Sequence, residues 1–195
     1  MEYFKELNLD LAKQFNEVYD FLESSNEEFK NVNYYGEFGY GVFTSFFKEN
    51  NFKELAEFSE NHKDYLSNYM RMLTTAPVDS DKRSGYSIHL EKWTAHLNCS
   101  MFGMNKDAVS CWYKPKDIEV VKEKQVETDE AWYCQDSSLF ELVESHVLLD
   151  KSMLFRANAY HTVHNNSNEK RCVVSWPFKE LDWDRIVEYA GKNFN

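Results

Sequence analysis

A chain of 195 residues, 43% hydrophobic and 16% aromatic, is long enough to bury one sizeable core and too apolar to be a disordered polymer. Its 22 Lys and Arg against 33 Asp and Glu leave a net charge of −11, which repels phosphate backbones and argues against a nucleic-acid partner. Six Gly and three Pro do not make a string of linked modules, so a single domain over residues 1–195 is expected, with its oligomeric state left open.

Residues 1–68 read as helical support and loop. The opening MEYFKELNLD has no basic stretch followed by an apolar core, so no secretory signal is expected. No run approaches the ~18 apolar residues of a membrane span. Asp10 is placed to cap a helix carrying Leu11, Phe15, Val18, Tyr19 and Leu22 on one face. Residues 25–40 are turn-rich and end in NYYGEFGYG, where aromatics alternate with glycine, so a loop or irregular strand is expected there. A second helix is expected over Asn51 to Glu60, turning Phe52, Leu55, Ala56 and Phe58 inward.

From Tyr69 the character changes. The runs MRMLTT, YSIHLE, WTAHLNCSMF, VSCWYK, IEVVKE, AWYCQ, FELVESHVLL, MLFRANAYHTV and RCVVSWPF follow one another with turn signals between them. That spacing predicts a mainly β region over 69–178, an antiparallel sandwich or barrel rather than alternating βα units. Cys99, Cys111 and Cys172 fall inside apolar runs, and with Cys134 they form no CxxC pair. Free thiols in a reducing, cytoplasmic compartment are therefore expected. Residues 179–195 return to helix, with Trp183, Ile186, Val187 and Ala190 at helical spacing and Asp182 as cap.

The stretch Ser152 to Phe178 reads as an antiparallel hairpin around Asn165-Asn166-Ser167-Asn168. Pairing His164 with Lys170 would put His161, Arg171, Val173 and Ser175 on one face. Upstream, His89 and Glu91 are two residues apart on a strand and so share a face. Adding His161 gives two imidazoles and one carboxylate, the facial set that holds non-haem Fe(II) and leaves positions open for substrate and oxygen. Arg171, ten residues after His161, can grip a carboxylate with both arms of its guanidinium. His96, Asn98 and Ser100 alternate with Leu97, Cys99 and Met101, a polar face against an apolar one. His96 is a possible replacement for His89 but lacks the carboxylate two residues on. Tyr113 is a further candidate hydroxyl.

The pattern H-x-E, a later His and an Arg ten residues beyond resembles the 2-oxoglutarate/Fe(II)-dependent oxygenase superfamily. The likeness is carried by IHLE, AHLNCSMFG, CWY, FRANAYHTVHNNSNEKR and SWPF, across roughly Tyr86 to Phe178. It implies a double-stranded β-helix (jelly roll) with bracing helices at the N-terminus and a helix at the C-terminus. It also implies that His89, Glu91 and His161 bind the metal and act in catalysis. Arg171 would bind the far carboxylate of the cosubstrate 2-oxoglutarate, and Asn98 could hydrogen-bond it. The substrate would be a small molecule or an amino-acid or peptide group, hydroxylated with O₂. Trp93, Trp112, Phe155 and Trp176 could wall the pocket, although core packing is the expected job for most of them, and the loops Val78 to Gly85 and Tyr113 to Thr128 would set its specificity. The chain departs from the family in having Glu91 where Asp is usual, and Val173 where many members have Ser. A cupin-type metalloenzyme that does not use 2-oxoglutarate, and a non-catalytic jelly-roll binding module, are the alternatives.

Overall fold

The computed structural model describes residues 2–25, 27–75, 87–103, 108–147 and 151–194; the Val78 to Gly85 loop falls outside them. The structure is mainly β, as expected, with two antiparallel sheets and five α-helices among the described residues.

The strands are β1 (Phe4–Leu7), β2 (Val32–Tyr34), β3 (Gly39–Phe43), β4 (Tyr69–Thr75), β5 (Ile88–Glu91), β6 (Ala95–Phe102) and β7 (Ala108–Pro115). They continue as β8 (Val126–Glu127), β9 (Ala131–Cys134), β10 (Phe140–Val147), β11 (Ser152–Arg156), β12 (His161–Asn165) and β13 (Arg171–Pro177). One sheet has seven strands in the order β1-β11-β6-β13-β4-β3-β2, and the other six in the order β10-β7-β12-β5-β9-β8. From β4 to β7, and again from β10 to β13, each successive strand lies in the sheet opposite its predecessor.

The hairpin expected over 152–178 does not form. β12 pairs with β5 and β7, whereas β13 pairs with β4 and β6. The polar turn between them is a crossing between sheets. Asn165 is fully buried there; its amide donates to the carbonyls of Thr75 and Glu169, while its oxygen accepts the Ser167 hydroxyl at 2.8 Å. Turn-forming residues mark a change of direction but not which strand receives the chain afterwards.

The seven-stranded sheet has two distinct faces. Met70, Met72, Leu97, Cys99, Cys172, Val174 and Trp176 pack on the helical side, so Trp176 takes the core-packing role of the two open to it. Above them lie α1 (Ala12–Ser24), α2 (Ser45–Glu49), α3 (Lys53–Asn61) and α5 (Trp183–Asn193). Helix α1 buries Phe15, Val18, Tyr19 and Leu22 as its spacing predicts. Asp10 sits one position upstream of the cap and accepts the Ala12 N–H, and Asp182 caps α5 by accepting from the Arg185 N–H. Phe47 is fully buried here between Phe46 and Trp176. Phe47→Ala should cost about 3–5 kcal/mol and lower the unfolding midpoint by roughly 10 °C in a chain of this size. Calorimetry checks this, and an unchanged midpoint contradicts the packing.

Three expectations need correction. The N-terminal region is more than helix and loop: β1 was not expected, and β2 and β3 take the strand alternative left open for residues 25–40, so that together they extend the seven-stranded sheet at its two edges. IEVVKE is not a strand but helix α4 (Ile118–Lys124), capped by the Asp117 carboxylate, which accepts the N–H groups of Glu119 and Val120. The segment 113–128 is therefore not a plain loop. It carries α4, whose Val121 covers the outer face of the six-stranded sheet with Ile88, Cys134, Phe140 and Tyr160.

Candidate metal centre

Alternation along β5 sends Ile88 and Leu90 to the outer cluster and His89 and Glu91 inward. Strand β12 lies beside β5 with His161 directly opposite His89, so the two imidazoles meet with ring centroids 4.1 Å apart. One donor atom each from His89, Glu91 and His161 lies within 4.8 Å of the others. Glu91 Oε1 is 3.8 Å from His89 Nε2 and 3.6 Å from His161 Nε2. The three side chains nominated from sequence thus come together, although the hairpin invoked to orient His161 is absent.

The surroundings fix the rings. Tyr133 stacks on His89 at 5.2 Å, and Phe155 meets His161 edge-on at 4.7 Å. His161 Nδ1 lies 2.8 Å from the Ala159 carbonyl and His89 Nδ1 3.3 Å from that of Ser87. A carbonyl only accepts, so Nδ1 carries the proton in each ring. A neutral imidazole in that tautomer points the Nε2 lone pair at the centre, the state a metal ligand requires. Burial pushes His161 toward this neutral form, as does the neighbouring His89, against the pull of Glu91. Burial alone would raise the Glu91 carboxyl, but the surrounding His96, His161 and His89 hold it well below the usual carboxylate range. Two imidazole nitrogens and one ionised carboxylate oxygen fit Fe(II) or a similar divalent ion.

The facing sheet presents its inner face across the gap. Val173 packs with Trp112, Met153, Phe155 and Ala157, which orients β13 so that Arg171, Val173 and Ser175 share this side. Arg171 is 2% exposed and pairs with Thr75 of β4. Gly103 makes room for it: at φ +65°, its missing Cβ would lie 2.0 Å from the Lys170 carbonyl oxygen and 2.8 Å from the Arg171 Cα. Asn98 is buried, pairs with Ser175, and leaves its Oδ1 without a hydrogen-bond partner. Tyr113 is not part of the site; it lies on the outer face of the six-stranded sheet with its hydroxyl 3.3 Å from His164 Nε2.

Two further residues lie beside Glu91: His96, weighed from sequence only as a replacement for His89, and Arg71, not singled out there. His96 Nε2 lies 3.2 Å from Glu91 Oε2. Arg71 reaches from β4 with one guanidinium nitrogen 3.8 Å from Glu91 Oε2 and another 2.9 Å from the Glu130 carboxylate. Alternation in β6 was a readable signal for His96, but only the pairing with β13 shows that its polar face looks inward. Among the helices of the described residues, none is long and apolar enough to cross a membrane. No protein-family model matches the chain, and no curated protein matches it.

Proposed function

We propose that this protein is a 2-oxoglutarate- and Fe(II)-dependent oxygenase that hydroxylates a small molecule or an amino-acid or peptide group. The carrying observation is the convergence of His89, Glu91 and His161 on one point, with each histidine's Nδ1 against a backbone carbonyl. The strand order supports the reading. The core orders β4-β13-β6-β11 and β5-β12-β7-β10, with successive strands alternating between sheets, are those expected of a double-stranded β-helix.

His89, Glu91 and His161 would hold Fe(II) on one face, leaving the remaining positions for cosubstrate and O₂. Bound Fe(II) with 2-oxoglutarate supplies the oxidative chemistry, in which O₂, 2-oxoglutarate and a C–H bond give succinate, CO₂ and an alcohol. The protein's own side chains bind and orient. Ser175 lies level with the centre through its contact with His96, and Arg171 is four positions earlier, at the start of β13, roughly 13 Å away at the rise of a strand. An arginine side chain and a five-carbon diacid together can fill that span, so Arg171 would take the far carboxylate in a bidentate, charge-assisted grip. Asn98, on the neighbouring strand and short of a partner at Oδ1, could accept there from a substrate hydroxyl or from water, while only its amide N–H could donate to the cosubstrate. Trp112, Phe155 and Val173 exclude bulk solvent and strengthen these contacts.

The deciding experiment incubates the purified protein with Fe(II), ascorbate and 2-oxoglutarate across a panel of amino acids, peptides and small metabolites. Succinate and CO₂ should form together, above a control lacking Fe(II). No 2-oxoglutarate turnover, with or without any panel member, in protein that has bound Fe(II) would count against the oxygenase reading.

A further inference from the structure

The three histidines around Glu91 are not chemically equivalent. His89 and His161 have Nδ1 against carbonyl oxygens, so their Nε2 atoms are obliged to present lone pairs. His96 Nδ1 instead meets the Ser175 hydroxyl, which can donate as well as accept. If the hydroxyl donates, His96 carries its proton on Nε2. That atom is buried, lies 3.2 Å from Glu91 Oε2, and makes no well-aligned hydrogen bond; Glu91 Oε2 is likewise without one. The opposite tautomer would set an imidazole lone pair against a carboxylate in a water-excluded gap, which is costly. With the Ser175 hydroxyl supplying Nδ1, Nε2 is where the His96 proton satisfies most groups.

We propose that His96, locked by Ser175, is a positioning residue that donates its Nε2–H to the outer oxygen of Glu91 and so directs the inner oxygen alone at the metal. This rests on the metal-centre reading above. Glutamate has one more rotatable bond than aspartate and can swing away or present both oxygens. A donor fixed on the facing sheet removes that freedom, while Arg71, 3.8 Å from the same oxygen, adds positive charge on the same side. The site thus accommodates the longer carboxylate by anchoring its far end.

Anaerobic Co(II) titration tests this, reading the dissociation constant and the visible d–d band rather than turnover. His96→Leu, which keeps bulk and removes the donor, should weaken Co(II) binding by about 10- to 100-fold and alter the band intensity as the carboxylate changes denticity. His96→Gln, whose amide nitrogen can occupy the Nε2 position, should recover most of the affinity and the original band. Ser175→Ala, which leaves the ring but unlocks its tautomer, should shift both readouts in the direction of His96→Leu. It carries the test if His96→Leu does not fold. Wild-type affinity and band in His96→Leu, or in Ser175→Ala where His96→Leu does not fold, overturns the proposal. A His96→Gln variant no better than His96→Leu does the same, because it would make the imidazole itself a ligand. Failure of the wild-type protein to bind Co(II) overturns the metal centre as a whole, whereas binding that ignores these substitutions overturns only the role of His96.

Discussion

Metal-free protein titrated anaerobically with Fe(II) or Co(II) should gain about 2.7 kcal/mol of stability at a hundredfold excess over the dissociation constant. In a chain of this length the gain raises the unfolding midpoint by roughly 5–10 °C. His161→Ala should abolish the rise and, with it, turnover. The reason is geometric. His161 faces His89 directly across the β12–β5 pair, is 3% exposed in its side chain, and holds Nδ1 against the Ala159 carbonyl. No other described imidazole offers an Nε2 lone pair to the same point from that side. Removing it leaves two donors, too few to retain the ion, and opens a cavity beside Phe155. The cavity lowers the stability of the metal-free variant as well, so the informative quantity is the metal-induced shift and not the midpoint itself. A metal-induced rise of wild-type size in His161→Ala would mean that the ion binds elsewhere.

The triad was legible because period-two alternation is a local rule. His89 and Glu91 must share a face if their segment is a strand, whatever that strand pairs with. The position of Arg171 was harder, since β12 and β13 belong to different sheets, and a buried asparagine crossing has the same composition as an exposed hairpin tip. That His161 and Arg171 both face inward follows from the apposition of two sheets, which no residue spacing within 152–178 encodes. IEVVKE failed for a different reason: a short apolar run is ambiguous between helix and strand, and here the decisive residue is Asp117 just before it, a helix-cap type whose carboxylate takes two backbone N–H groups. Strand β1, four residues of which two are charged, has no pattern of its own and is ordered by pairing with β11. The contact between His96 and Glu91 was hidden in the same way as Arg171, because it joins residues of opposite sheets.

Arg171→Ala should leave metal binding near the wild-type value and weaken 2-oxoglutarate binding by at least about 30-fold, the lower limit for truncating one side of a buried charge pair. Arg171→Lys should fall between, because an ammonium keeps the charge and loses the planar fork. The separation of the two effects follows from the layout. His89, Glu91 and His161 belong to β5 and β12 of the six-stranded sheet, while Arg171 opens β13 of the other sheet, seated by Gly103. Its guanidinium can therefore act on the far end of a bound diacid without touching the ligands. Isothermal titration of the Fe(II)-loaded protein with 2-oxoglutarate under anaerobic conditions measures the change, and succinate formation should fall in parallel. If the wild-type protein shows metal-dependent turnover that 2-oxoglutarate does not stimulate, and Arg171→Ala keeps that turnover, the buried arginine has a packing role and the centre belongs to metal chemistry of the cupin type. If 2-oxoglutarate binding and turnover fall together while the Co(II) affinity is retained, the guanidinium is the anchor that fixes the cosubstrate's direction across the gap between the sheets.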